Sequence, residues 1–180
     1  MELIKAPIQG LLVFKPKIFL DERGYFFESW NRDNYKKFGI DIDFFQDNES
    51  CSKKGVLRGL HFQNPPFEQG KLVRVIKGSA LDVAVDIRKN SVTYGQHFSI
   101  KLSDENKKVF WIPPGFAHGF VTLEEDTIFM YKCSQVYNKN SEGSLAWNDP
   151  DLNIDWKVEN PIISQKDMNA GRFSDFKSQF

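Results

Sequence analysis

Short runs of β-branched and aromatic residues, broken by Gly, Pro, Asn and Asp, recur along the whole chain. Such runs read as strands, here Leu11–Phe14, Tyr25–Trp30, Val56–Phe62, Lys71–Ile76, Ala80–Arg88, Gly95–Leu102, Lys108–Ile112, Gly119–Leu123 and Thr127–Tyr137. Lys77-Gly78-Ser79, Asp104-Glu105-Asn106 and Pro113-Pro114-Gly115 mark turns between them. Many short strands at turn-limited spacing predict a sandwich or barrel. Helix is scarce. Asn31 to Phe38 fits one short helix, with Asn31 or Asp33 as cap and Gly39 as stop. Ser-Gln-Lys-Asp from Ser164 fits a second helix start. With no repeat, low-complexity tract or linker, the expectation is one β domain spanning 1–180 with irregular ends.

Strand parity points to a cavity. In Leu81–Arg88 the valines and Ile87 share one face, whereas Asp82, Ala84 and Asp86 share the other. A barrel with an apolar face on its core and a small polar face on a cavity gives that pattern. Around His61 the parity is less tidy: His61 falls with Leu57, and Arg58 with Phe62. For Arg58 and His61 to reach one pocket, Gly59 must sit at a bulge or bend.

The 180 residues are enough for one core without staples. The 24 basic and 24 acidic residues cancel, which argues against a general nucleic-acid or membrane-surface protein. Cys51 and Cys133 form no metal spacing and no disulfide framework, and read as reduced thiols of a cytoplasmic protein. The N-terminal residues lack the pattern of a signal peptide. No apolar run approaches the ~18 residues that would span a bilayer.

The segment from Val56 to Val75 carries the candidate chemistry. It sets His61, Arg58 and Lys71 among apolar strand formers, and buried bases and cations cost free energy unless paired or used. An imidazole can act as a general base near neutrality, given a carboxylate to orient it. Lys71 can stabilise an oxyanion, and Tyr131 can return a proton. Together they suit proton abstraction beside a carbonyl. Plain readings stand alongside: His61 as a satisfied core histidine, Lys71 as an edge lysine, Tyr131 as a core aromatic with its hydroxyl at the rim. Asp82 also fits a solvent-facing position, Asp167 a helix cap, His118 a turn and His97 the surface, while Arg23 and Glu28 fit an exposed pair. A metal site would need His118 and Glu68, because Gln63 occupies the place where a second histidine would follow His61.

Asp21–Trp30 (DERGYFFESW), Gln46–Ser50 (QDNES), Gly55–Gln63 (GVLRGLHFQ), Gln69–Gly95, Ile112–Phe120 (IPPGFAHGF), Tyr131–Gly143, Trp147–Asp149 and Ser164–Asp167 together resemble the dTDP-4-dehydrorhamnose 3,5-epimerases. The resemblance implies an all-β, cupin-like double-stranded β-helix (a jelly-roll barrel) with a few short helices. It also implies a homodimer with exchanged N-terminal strands, no metal and no other cofactor. The implied substrate is dTDP-4-dehydro-6-deoxy-α-D-glucose, a nucleotide sugar, and the implied product is dTDP-4-dehydro-β-L-rhamnose. Residue by residue, it implies His61 as base with Asp167 behind it, Lys71 near the C4 oxygen with Asp82 as acidic neighbour, and Tyr131 as acid. Arg23, Arg58 and His118 would surround the diphosphate. Phe26, Glu28, Gln46 and Asn48 would surround the thymidine, with Tyr137 stacked on thymine and Glu142 and Lys166 as further contacts. Relatives that invert only C3 or only C5, or a silent nucleotide-sugar-binding cupin, are the alternatives. Phe62 departs from the family's frequent tyrosine. Trp156-Lys157 and the tail after Asp167 are expected to lie apart from the chemistry.

Overall fold

Alternation along the strands sorts the chain into two sheets that face each other. The computed structural model describes residues 1–180. Its strands are β1 (Glu2–Lys5), β2 (Leu12–Lys15), β3 (Phe19–Asp21), β4 (Gly24–Phe26), β5 (Gln46–Ser52), β6 (Val56–Gln63), β7 (Lys71–Lys77), β8 (Ser79–Asp86), β9 (His97–Ser103), β10 (Val109–Ile112), β11 (Phe116–Thr122), β12 (Thr127–Cys133), β13 (Glu142–Ser144) and β14 (Ile162–Ile163). Two short helices, α1 (Arg32–Lys36) and α2 (Gln165–Met168), and a 3-10 turn at Phe173–Asp175 complete it. One sheet runs β1-β2-β10-β7-β12-β5 and the other β13-β6-β11-β8-β9, with β14 parallel to β6. From β5 to β12 the chain crosses repeatedly between the sheets, which is the winding of a jelly roll. The all-β, cupin-like expectation holds.

Side-chain parity builds three apolar layers. Between the sheets lie Val13, Val73, Val75, Ala80, Ala84, Phe110, Phe116, Phe120 and Phe129, with Phe120 stacked on Phe129 at 3.9 Å. Outside the first sheet, Tyr35, Ile40, Trp30 and Phe44 from residues 27–44 cover Phe14, Leu72 and Trp111. Outside the second, Leu145, Leu152, Trp156 and Phe176 cover Leu57, Phe62, Val83 and Val85. In β8 the two faces divide as expected: valines under the C-terminal cover, Asp82 and Ala84 inward.

Helix boundaries follow their caps. The Asn31 side chain accepts from the Asn34 N–H at 3.1 Å and α1 ends before Gly39; Ser164 does the same for Asp167 N–H at 3.1 Å. Some strands differ from expectation. Tyr25–Trp30 pairs only to Phe26, because Phe27 lies against Arg74 and Trp30 against Tyr35 and Phe44. Thr127–Tyr137 stops at Cys133, where Ser134 bonds back to Gly70. Strand β5 was not expected at all: its residues are polar, and it forms the sheet edge. His97 is half-buried at the start of β9 rather than on the surface. No helix is long and apolar enough to cross a membrane.

Candidate active site

The bulge expected at Gly59 is present. Against β11, His61 pairs with His118 and Arg58 with Phe120, so three steps on β6 match two on β11. The extra residue turns Leu57, Leu60 and Phe62 outward and brings Arg58 and His61 to one cleft. Gly59 holds this with φ +142°, and a Cβ there would lie 2.5 Å from the Gly119 Cα. Glycine is required on both counts.

The cleft has a volume of about 560 Å³ and is lined by His61, Lys71, Tyr131, His118, Arg58 and Asp167, among others. His61 Nε2 and Asp167 Oδ1 are 2.6 Å apart. Burial would raise the Asp167 carboxyl, but the bonds from His61, Ser164 and the Gly59 N–H outweigh it and hold it below the usual carboxylate range. An ionised carboxylate only accepts, so Nε2 carries the proton, and in the neutral ring Nδ1 is the nitrogen left with a lone pair. A base oriented in this way is what proton abstraction needs.

Lys71, only 8% exposed, approaches the His61 carbonyl at 3.4 Å. Burial pushes its ammonium down, and the neighbouring acidic groups, Asp82 and Glu142 among them, oppose that shift. Asp82 is fully buried and accepts from or donates to His118 Nε2 at 2.9 Å, while its Oδ1 has no partner. Burial raises its carboxyl, countered by His118 and Lys71. Burial likewise lowers the His118 imidazolium. These three groups form one compact charge system under the cleft, and a fixed cation there can meet a developing oxyanion. Burial also raises Tyr131, so its phenol stays protonated at neutral pH.

A second, smaller hollow of about 90 Å³ shares His61, Lys71, Tyr131 and Asn48 with the first and adds Gln46, Tyr137 and Glu142. Gln46 donates to Asn48 at 2.9 Å and accepts the Tyr137 N–H at 2.8 Å. Glu142 accepts from Tyr137 at 3.1 Å and from Lys166, forming a polar rim. Asn48 also donates to the buried Cys133 Sγ at 3.6 Å. Ser50 lines the larger cleft and Cys133 lies behind Asn48; neither was among the expected site residues, and the alternation Gln46, Asn48, Ser50, Ser52 along β5 was the signal for that face.

Within one chain Arg23, Phe26 and Glu28 do not join the cleft. Arg23 lies at the tip of the β3–β4 hairpin, 85% exposed and paired with Asp21 at 2.6 Å. Phe26 is exposed on the same hairpin. Glu28 accepts from Asn31 at 3.1 Å and Asn34 at 2.7 Å beside α1. Of the expected diphosphate group, Arg58 and His118 reach the cleft and Arg23 does not. No three His, Cys, Asp or Glu side chains converge as a metal site; His118 is engaged with Asp82 and Glu68 lines neither hollow.

The family model described as dTDP-4-dehydrorhamnose 3,5-epimerase matches residues 5–175. The chain is similar to the dTDP-4-dehydrorhamnose 3,5-epimerase of Shigella flexneri, with 49% identity over 97% of each chain. It is similar to the solved dTDP-6-deoxy-D-glucose-3,5-epimerase of Legionella pneumophila in complex with dTDP-4-keto-L-rhamnose, at 47% identity and TM-score 0.94, over 98% of this chain and 94% of that one. A 3'-monoepimerase from Streptomyces bikiniensis in complex with dTDP-quinovose is more distant, at 32% identity and TM-score 0.89, covering 94% and 86%. Matches of this identity and coverage across nearly the whole sequence, on a shared jelly-roll frame, make the chain a member of the dTDP-4-dehydrorhamnose 3,5-epimerase family.

Proposed function

We propose that this chain inverts C3 and C5 of dTDP-4-dehydro-6-deoxy-α-D-glucose to give dTDP-4-dehydro-β-L-rhamnose. One observation carries the assignment of roles: His61, bonded to Asp167 through one nitrogen, shares a cleft with Lys71 and Tyr131. The C4 ketone acidifies the hydrogens at C3 and C5, since either carbanion delocalises onto the ketone oxygen. His61 Nδ1 removes the proton and Asp167 stabilises the resulting imidazolium. Lys71 stabilises the enolate oxygen more than the ketone oxygen, which is what accelerates the step. Tyr131 returns a proton from the opposite face, which gives inversion rather than simple exchange. Asp82, bonded to His118, supports the Lys71 charge. Arg58 meets the diphosphate, while Gln46, Asn48, Tyr137, Glu142 and Lys166 hold the nucleotide end, whose binding energy positions the sugar. No metal or other cofactor is needed for this chemistry.

The working form in this proposal is a cytoplasmic homodimer. Support comes from the β3–β4 hairpin, which leaves Leu20 79% and Phe26 70% exposed beside Phe19 and Tyr25, a patch suited to a protein partner. A crossing hairpin would deliver Arg23 and Phe26 to the partner's cleft, with Glu28 following in the adjoining segment. Two thiols without a disulfide fit a reducing compartment.

Incubating the protein with the 4-keto substrate in deuterium oxide tests the reaction. Label at both carbons is expected, and label at only one would assign a single-centre epimerase. No label at all would leave only a binding role. His61→Ala should stop exchange at both carbons, whereas Tyr131→Phe should retain exchange at C3 and block inversion at C5.

A further inference from the structure

Phe62 follows the base, and parity sends its ring away from the cleft to the outer face of the sheet. There it meets Phe176 edge-on at 5.3 Å and Phe180 at 6.4 Å. Phe176 in turn lies 6.4 Å from Phe173, which packs 5.1 Å from Tyr94. The backbone of this tail is fastened to the barrel. The Phe173 N–H donates to buried Asp149 at 2.7 Å, the Lys89 N–H to the Phe180 carbonyl at 3.2 Å, and the Ser178 hydroxyl to the Ile87 carbonyl.

The same segment carries Asp167. Helix α2 is a single turn, too short to hold a carboxylate by itself. Before it, β14 pairs with Val56 and Leu57 of β6. After it, Gly171 bridges Leu145, which exchanges two backbone bonds with Leu60. The C-terminal segment therefore touches β6 on both sides of the base: Asp167 at its imidazole, and the phenylalanines behind its neighbour. The tail lines neither hollow, as expected, but packs behind the strand that carries His61. Edge-to-face aromatic pairs of this kind add to simple burial and fix ring geometry.

We infer that Phe176, with Phe173 and Phe180, is a positioning element for the reaction: it clamps Phe62 and so holds the His61–Asp167 pair in register. The inference rests on the proposed role of that pair. Phe176 touches neither substrate nor His61 and acts through Phe62.

Phe176→Ala in the full chain, assayed well below its unfolding temperature, tests this. The expected result is a roughly tenfold fall in kcat, since small misplacements of reacting groups are costly. KM should move less than kcat, because Phe176 itself lines neither hollow. In the substrate-free protein, the low-field proton resonance of the His61 N–H facing Asp167 should broaden or move upfield. Phe176→Leu, which keeps most of the apolar volume, should recover most of both signals. An unfolding temperature that drops while kcat and the resonance stay at wild-type values would overturn the inference. Should Phe176→Ala fail to fold, Phe180→Ala gives a graded version of the same readouts, and unchanged values there would likewise overturn it. The resonance is read without substrate, so a wild-type protein that shows the signal but no deuterium uptake would sink the reaction and leave the clamp standing.

Discussion

Replacing Lys71 by methionine should separate what the lysine does for the reaction from what it does to the fold. Lys71 is buried, and its one hydrogen bond, to the His61 carbonyl, is long at 3.4 Å. Methionine keeps the length and apolar stem but removes the charge. Loss of a preorganised oxyanion partner costs about 2.7–4 kcal/mol in the transition state, or roughly 10²–10³ in kcat. Stability should respond with the opposite sign. Burial lowers the Lys71 ammonium in the native protein. At neutral pH the folded chain therefore bears the cost of a desolvated charge. As pH rises past the lowered native value, the folded protein releases this proton while the unfolded chain still holds it. The unfolded state then binds more protons, so wild-type stability climbs towards the ordinary lysine value of 10.5. The methionine variant lacks this contribution. Urea unfolding at neutral and alkaline pH should show Lys71→Met at least as stable as wild type near neutrality, with any advantage shrinking as pH approaches 10.5. Deuterium exchange at C3 and C5 gives the catalytic side. A variant with kcat within tenfold of wild type, or one less stable at neutral pH by more than about 1 kcal/mol, would refute the reasoning.

Other perturbations reach different parts of the molecule. Gly59→Ala forces a side chain onto a left-handed backbone and into the Gly119 Cα at 2.5 Å. Roughly 2–5 kcal/mol of stability should be lost, and deuterium exchange should fall further than unfolding alone explains; wild-type exchange rates would contradict the role of the bulge. Buried Asp86 accepts from Arg88, Ser91 and Thr93. Burial opposes its ionisation, but these bonds bring its carboxyl down from 3.8 to about 2. The corresponding stabilisation of about 2 kcal/mol is complete above pH ~4 and fades as pH falls through ~2. Asp86→Asn should cost about that much at pH 7 in urea titrations, with the gap to wild type narrowing on acidification; a gap independent of pH would be the contrary result.

The parts that could be read from the chain are those where local chemistry and burial agree. Strands β6, β7, β8 and β10 bury apolar side chains on pleated faces, so composition marks them. The Gly59 bulge could be anticipated because His61 and Arg58 sit at odd spacing in an otherwise regular strand. Ser164 marked α2 by its cap. Strand β5 escaped notice because its inward face meets the cleft rather than the core, so Gln46, Asn48 and Ser50 replace the expected aliphatics. Aromatics misled at Phe27–Trp30, where they blanket a sheet instead of extending one. The pairing of His61 with Asp167 spans 106 positions, and no short-range pattern encodes it; only the family likeness suggested it. Parity could not show that Phe62 leans on Phe176, because the tail has no strand or helix period to follow.

The C-terminal location of Asp167 has a consequence for how the protein comes into being. A ribosome emits β1 to β12, and with them His61, Lys71 and Tyr131, before Asp167, the partner of His61. Domains tend to acquire structure in the order of synthesis. A nascent chain halted after β13 would carry a nearly finished barrel with an unaligned imidazole. In the proposed mechanism, competence would thus wait for a segment made after the barrel strands.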